Sequence, residues 1–285
     1  MLVFLGLDNA GKTSIKVYLE TLDIEKAKQT KMSDKVEVYQ RGNMRIEIFP
    51  GQKVLRYNEK LYEVFFPFVR RIAFIVDAAD QDRFDEAKEY WEFIKKMIKK
   101  YCKEIPEVIL VAHKQDLQNA VPADQIAKYI LSKNDLKTFR IVAINTSIYD
   151  PISMSLLLKV LHGAHRLGID RVVEVLRERT DSDVAFIYDN HLLPIAISLR
   201  EKDEKIINRL TDVVISLERL GEIKVLYGTY ADGKNILLLS EHAKEERIII
   251  GVYGFTVNLK EVLIHCKATQ KHYLAEMRRR LWSSL

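Results

Sequence analysis

The chain has 285 residues, 48% hydrophobic and 30% charged, with a net charge of +5. This is enough length for two domains that each bury a core, and the composition excludes a disordered or fibrous chain. The mild positive balance suits nucleotide phosphates or an acidic surface, but it is too weak to argue for nucleic acid. Cys102 and Cys266 stand far apart and match no metal-ligand spacing, so they read as reduced thiols of an intracellular protein. Met1–Leu7 is apolar but lacks the basic leader of a signal peptide. No apolar run approaches membrane-spanning length. Leu2 excludes N-terminal myristoylation, and the last four residues carry no cysteine for prenylation. The expectation is a cytoplasmic protein without a direct membrane anchor, whose contact with any membrane is indirect.

Met1 to Leu7 reads as one buried strand and Ser14 to Thr21 as a helix. Between them lies Gly6-Leu-Asp-Asn-Ala-Gly11-Lys12-Thr13, a full G-x-x-x-x-G-K-[ST] phosphate-binding loop in the expected context. Its glycines let the backbone N–H groups of Asp8, Asn9, Ala10, Gly11, Lys12, Thr13 and Ser14 curl around a β-phosphate. The helix N-terminus adds partial positive charge. Lys12 can reach the β- and γ-phosphates, and the Thr13 hydroxyl can ligate Mg²⁺.

Asp34–Tyr39 and Met44–Phe49 flank Gly42-Asn43 and predict an antiparallel hairpin. Ile72–Val76, Val108–Ala112 and Arg140–Ile144 are apolar runs with the unbroken character of strands buried on both faces of a parallel sheet. Asp82–Tyr101 places Phe84, Ala87, Tyr90, Trp91, Ile94 and Ile98 at helical spacing, with lysines opposite. Pro122–Leu131 and Ile152–His165 are the remaining helices. A mostly parallel sheet with one antiparallel edge strand, opened by a phosphate loop, is the small-GTPase plan, an α/β fold.

Past Gly168 the pattern changes. Ile169–Arg179 is helical, and Val184–Tyr188 and Leu193–Leu199 pair across Asp189-Asn190. Lys202–Leu220 predicts an amphipathic helix ending at Gly221. Three strand-like runs follow, Ile223–Tyr230, Asn235–Glu241 and Arg247–Tyr253, before a helix from Leu259 to Trp282. This is an α+β unit, and the two domains read as 1–167 and 168–285.

The signal for a base is His113-Lys114-Gln115-Asp116, directly after the Val108–Ala112 run. An aspartate at a strand's carboxyl end accepts paired hydrogen bonds from guanine N1–H and the N2 amino group. Adenine offers neither, and an unpaired buried carboxylate rejects it strongly, which disfavours an ATP-using enzyme. The Lys114 stem can lie over the ring. The backbone N–H groups of Thr146-Ser147-Ile148 stand where they could meet guanine O6.

The combination of residues 6–14, Phe-Pro-Gly-Gln at 49–52, His-Lys-Gln-Asp at 113–116 and Thr-Ser-Ile-Tyr-Asp at 146–150 resembles the Rag/Gtr family of small GTPases. The resemblance implies bound GTP or GDP with Mg²⁺ and a C-terminal roadblock-like dimerisation domain. The partner it implies is a second Rag-like or roadblock-domain chain, alongside regulatory proteins. It also implies a relay of nutrient status to a growth-controlling kinase. His113 and residues 146–150 favour this family over an Arf-like one despite the Arf-like loop, and an Arf-like role in membrane traffic is further disfavoured by the lack of an N-terminal amphipathic helix.

One position departs from the pattern. The acidic residue expected three before the glycine is Ile48, while Glu47 stands one residue early and, on a strand, faces away. Weaker Mg²⁺ binding and slow hydrolysis follow. Gln52 stands where a water-orienting glutamine belongs, so Gln52 and Lys12 are the expected catalytic pair. Thr30, 18 residues before Ile48, is the best-placed threonine to join Thr13 on Mg²⁺, with Thr21 and Ser33 as alternatives. His113, Lys114, Asp116, Ser147 and Ile148 complete the expected nucleotide site. A chain that binds GTP and hardly hydrolyses it, as a scaffold subunit, is the competing expectation. Arg278-Arg279-Arg280 reads as a solvated helix end, and His162 and His165 as ordinary helix residues.

Overall fold

The computed structural model describes residues 1–21, 23–41, 44–161, 169–188, 194–201, 224–229, 232–243 and 246–283. They form two compact units, Met1–Leu157 and Leu158–Leu285. Among the described residues no helix is long and apolar enough to cross a membrane.

In the first unit the chain runs β1 (Leu2–Leu5), α1 (Lys12–Thr21), α2 (Ile24–Lys28), β2 (Glu37–Arg41), β3 (Met44–Ile48), α3 (Lys53–Arg56) and α4 (Glu59–Phe65). It continues with β4 (Arg71–Asp77), α5 (Phe84–Tyr101), β5 (Glu107–His113), α6 (Ala123–Ile130), α7 (Lys133–Thr138), β6 (Ile141–Asn145) and α8 (Pro151–Leu161), whose residues from Leu158 on fall in the second unit. The six strands form one sheet in the order β2-β3-β1-β4-β5-β6. Every pairing is parallel except β2 with β3, where Val38 opposes Glu47. This is the mostly parallel sheet with an antiparallel edge that the sequence predicts. The hairpin tip at 42–43 lies outside the described residues.

The strands β1 and β5 are buried at every position, as β4 is throughout its interior, because helices cover both faces of a parallel sheet. The predicted two-faced burial fails for β6. It is the sheet's edge, and of its residues only Ile144 is buried. The helix α5 buries the predicted face, Phe84, Ala87, Tyr90, Trp91, Ile94 and Ile98, together with Met97. Each of the larger apolar side chains among them contributes about 2 kcal/mol of burial. Trp91 packs on Phe74 at 5.6 Å between ring centroids and donates its indole N–H to Asp135.

The second unit holds α9 (Ile169–Arg179), β7 (Val184–Tyr188), β8 (Pro194–Leu199), β9 (Val225–Thr229), β10 (Asn235–Ala243), β11 (Glu246–Tyr253) and α10 (Leu259–Ser283). Its sheet is antiparallel throughout in the order β8-β7-β11-β10-β9. Alternate residues of β7 serve opposite faces. Ala185 and Ile187 join a core with Val173 and Leu176 of α9 and Val262 and Cys266 of α10. Val184, Phe186 and Tyr188 join Ile236, Leu238 and Ile249 on the other face. The helix predicted over 202–220, the turn at 189–190, His162, His165 and the side chains of 278–280 lie outside the described residues.

Candidate functional site

At the carboxyl ends of β1 and β3 a groove of about 270 Å³ opens over the N-terminus of α1. It is lined by Asp8, Asn9, Gly11, Lys12, Thr13 and Ser14 of the loop, by Thr30 and Ser33 after α2, by Ile48 to Gln52 after β3, and by Lys114. The loop backbone takes the conformations a phosphate nest needs, with positive φ at Asn9 (61°) and Gly11 (92°). A Cβ on Gly11 would fall 2.3 Å from the His113 ring, and one on Gly51 would fall 2.2 Å from the Asp8 backbone nitrogen. Glycine is therefore required at both points, and the segment at 51–52 lies directly against the loop.

Lys12 is buried and folds across the loop, its Nζ donating to the Gly6 carbonyl at 2.9 Å and the Leu7 carbonyl at 2.6 Å. Burial pushes its ammonium down to about 7, against the pull of the Asp8 carboxylate. A cation held this way gains most from an anion entering the loop. Thr30 Oγ1 lies 2.9 Å from Ser14 Oγ, so the segment after α2 reaches the loop. Thr21 instead donates to Val17 of its own helix, whereas Ser33 lines the groove as Thr30 does. Ile48 faces the groove. Glu47 points the other way and pairs with Arg45 at 2.7 Å. Gln52 caps the start of α3, lines the groove and leaves its buried Oε1 without a partner.

His113 closes β5. Its Nδ1 lies 2.9 Å from Thr146 Oγ1, and burial holds its pKa down at about 4, so the ring is neutral. Lys114 has a positive φ of 66° and donates to Asp77 at 2.6 Å, which fixes its stem along the groove wall. Asp116 accepts from the Ser147 hydroxyl at 2.5 Å, and that hydroxyl in turn accepts from the Tyr149 amide. The expected role of the 146–147 amides needs correction. Thr146 N–H donates to the Ala112 carbonyl and Ser147 N–H to Ser153 Oγ, so neither is available to a base. Ile148 is buried in the same loop.

Sequence reasoning missed the groups behind the loop. Arg83 donates through Nη2 to the Asp8 carboxylate at 2.7 Å and through Nη1 to the Asp8 carbonyl at 3.2 Å. Glu86 bridges Arg83 and the fully buried Arg56, at 2.6 Å from each. Arg56 donates to the Gly51 carbonyl and lies over the rings of Tyr57 and Tyr90. These residues belong to other elements, and no local spacing announces them. Lys28 of α2 lies over the Tyr149 ring at 5.2 Å, a second unforeseen contact.

Residues 1–162 match the model of the ADP-ribosylation factor family. The chain belongs to that family. It is 31% identical over 131 residues to ADP-ribosylation factor-like protein 3 of Caenorhabditis elegans, covering 45% of this chain and 67% of that protein. It is 32% identical over 122 residues to ADP-ribosylation factor 1 of Brassica rapa subsp. pekinensis, covering 42% and 63%. The matched stretch thus spans about two thirds of the length of these relatives. Among solved structures, the Arl6 BBS3 small GTPase from Trypanosoma brucei with bound nucleotide analogue GppNp is 20% identical, covers 57% of this chain and 95% of its own, and gives a TM-score of 0.47. His113 and residues 146–150 therefore do not exclude the Arf family.

The first unit of this Arf-family chain is a P-loop G domain, a GTP-binding switch. Arf-family GTPases bind GTP or GDP with Mg²⁺, hydrolyse GTP to GDP, and work with regulatory proteins and effectors. The residues present fit these groups. A buried cation rests on loop carbonyls, a buried glutamine oxygen has no partner, and two missing Cβ atoms leave room for the cradle. Thr13 and Thr30 offer the hard oxygen donors Mg²⁺ requires. Among the described residues no cluster of three His, Cys, Asp or Glu side chains could hold a metal unaided. The Thr13 and Thr30 hydroxyls, with phosphate oxygens of the nucleotide, would hold Mg²⁺.

Proposed function

We propose that this chain is a slow guanine-nucleotide switch of Rag/Gtr type, acting on GTP to give GDP and phosphate. The observation that carries the guanine assignment is Asp116, held by the Ser147 hydroxyl two residues after the groove-lining Lys114. A carboxylate oriented by one neighbour keeps its other lone pairs for the two donors of a guanine edge. Lys114 would flank the ring, and His113 would tie the base end to the phosphate loop.

For turnover, Gln52 would orient a water for in-line attack on the γ-phosphorus. The bond from that phosphorus to the β–γ bridging oxygen breaks, and the electron pair leaves on GDP. Lys12 and the loop amides of residues 8–13 would hold the developing charge. Mg²⁺, when bound, would supply further charge neutralisation there, held by Thr13 and Thr30. Ile48 supplies no carboxylate for a metal-bound water, so turnover is slow and depends on a partner group such as an arginine finger.

The second unit, in this reading, is a roadblock-like domain that pairs with a like domain on a second chain. Its succession of helix, hairpin, three further strands and long helix on an antiparallel five-stranded sheet supports that reading. The pair would act from the cytoplasm in nutrient or growth signalling, docked to a membrane by a scaffold. Ile48 in the groove also favours a second reading, a scaffold subunit that retains GTP. Nucleotide released from protein purified in Mg²⁺, together with sedimentation of the full chain, tests both. GDP with a dimeric mass agrees with a working switch, retained GTP favours the scaffold, and adenine nucleotide contradicts both. A monomer with no affinity for roadblock-domain chains contradicts the dimer.

A further inference from the structure

Asp8 poses an electrostatic problem. It lines the groove, and its backbone nitrogen lies against Gly51, beside Gln52. That is the terminal-phosphate end, since Lys114 and Asp116 mark the base end. A carboxylate there repels the extra negative charge that separates a triphosphate from a diphosphate. Neither Lys12, which donates to the loop carbonyls, nor Lys114, which donates to Asp77, forms an ion pair with that carboxylate.

The structure assigns Arg83 as a positioning residue that fixes and neutralises Asp8, and so sets the preference of the loop for GTP over GDP. The inference rests on the guanine-nucleotide reading above. Arg83 approaches from behind the loop, alongside Leu7, Ala10 and Val76, and so need not touch the nucleotide. It grips Asp8 with two prongs, one on the side-chain carboxylate and one on the main-chain carbonyl. One prong cancels the charge. The other fixes the loop at the point where Gly51 packs.

Arg83 is itself held. Its Nε donates to Glu86, whose other oxygen holds Arg56, and Arg56 reaches the Gly51 carbonyl. The hydrogen bond from Arg83, with that from Arg56, brings the Glu86 carboxyl down to about 2, so the bridge stays ionised at any physiological pH. Two carboxylates and two guanidiniums balance, and the cluster adds no net charge to the site. Side chains of Asp8 and Arg83 are each 29% exposed, so salt screens the pair only in part.

The test compares equilibrium affinities for GDP and for a non-hydrolysable GTP analogue, both with Mg²⁺, in the full chain. Arg83→Gln is expected to weaken the analogue about tenfold more than GDP, the scale on which contacting charges couple. In an Asp8→Asn background the same change should lose that selectivity. Arg83→Lys, which keeps the charge and one prong, should recover part of it. Asp8→Asn alone, a near-isosteric change, should shift preference toward the analogue, and it serves where Arg83→Gln does not fold. Equal weakening of both nucleotides by Arg83→Gln, or a penalty that persists without Asp8, overturns the inference and leaves the nucleotide reading intact. A wild-type chain that binds neither nucleotide overturns the nucleotide reading itself.

Discussion

His113 joins Thr146 through a 2.9 Å contact at Nδ1, while the edge of the same ring fills the space that Gly11 leaves empty. One neutral ring thus couples the phosphate loop to the loop that orients Asp116. The ring stays neutral because burial, with the nearby Lys114 charge, lowers its pKa from 6.5 to about 4.

That shift predicts an acid sensitivity. Between pH 6.5 and 4 the unfolded chain binds a proton at His113 that the folded chain refuses, so stability is lost as pH falls through this window. The full loss is about 3 kcal/mol. His113→Asn, which keeps a hydrogen-bonding group, should flatten the dependence of the denaturation midpoint on pH over this interval. An unchanged slope would contradict the buried neutral ring.

Lys12 carries the same sign over a higher window. In the folded chain its ammonium titrates near 7 because of burial, against 10.5 in the unfolded chain. Between these values the unfolded chain binds the extra proton, so this group's penalty on folding shrinks as pH rises. An anion in the loop restores the charge, so binding of GDP takes up roughly half a proton at pH 7 and nearly one at pH 8.5. Affinity should therefore fall as pH rises above 7. Calorimetry in buffers of different ionisation enthalpy reads the uptake, and a value of zero at pH 8.5 would refute it.

Ile48 faces the groove where a carboxylate is absent, and Glu47 is turned away onto Arg45. Ile48→Asp should lower the Mg²⁺ concentration needed for half-maximal nucleotide retention by about tenfold, the worth of one added charge-assisted contact. Superimposable Mg²⁺ curves for the two proteins would remove Ile48 as the cause of slow turnover.

The phosphate loop and the base-end residues were legible because each is a contiguous run whose spacing carries its chemistry, from Gly6 to Thr13 and from His113 to Asp116. Alternation of apolar strands and amphipathic helices gave the parallel sheet for the same reason. The apolar run of β6 was misread because hydrophobicity does not say whether a strand ends a sheet. The short helices α2, α3, α4 and α7 span too few turns to show a periodic face. Arg83 and Asp8 are 75 residues apart, and nothing local joins them. Thr146 and Ser147 were assigned to the base because their amides stand at a strand end, yet the chain satisfies both amides itself.

The measurement that bears most directly on the guanine assignment is competition between GDP and ADP for the groove in Mg²⁺, repeated with Asp116→Ala. The account predicts that GDP binds at least 100-fold more tightly than ADP, on the scale of a site whose buried polar group would otherwise be left unpaired. It also predicts that the preference collapses without the Asp116 carboxylate. Equal affinities in the wild-type chain, or a preference indifferent to Asp116, would contradict it.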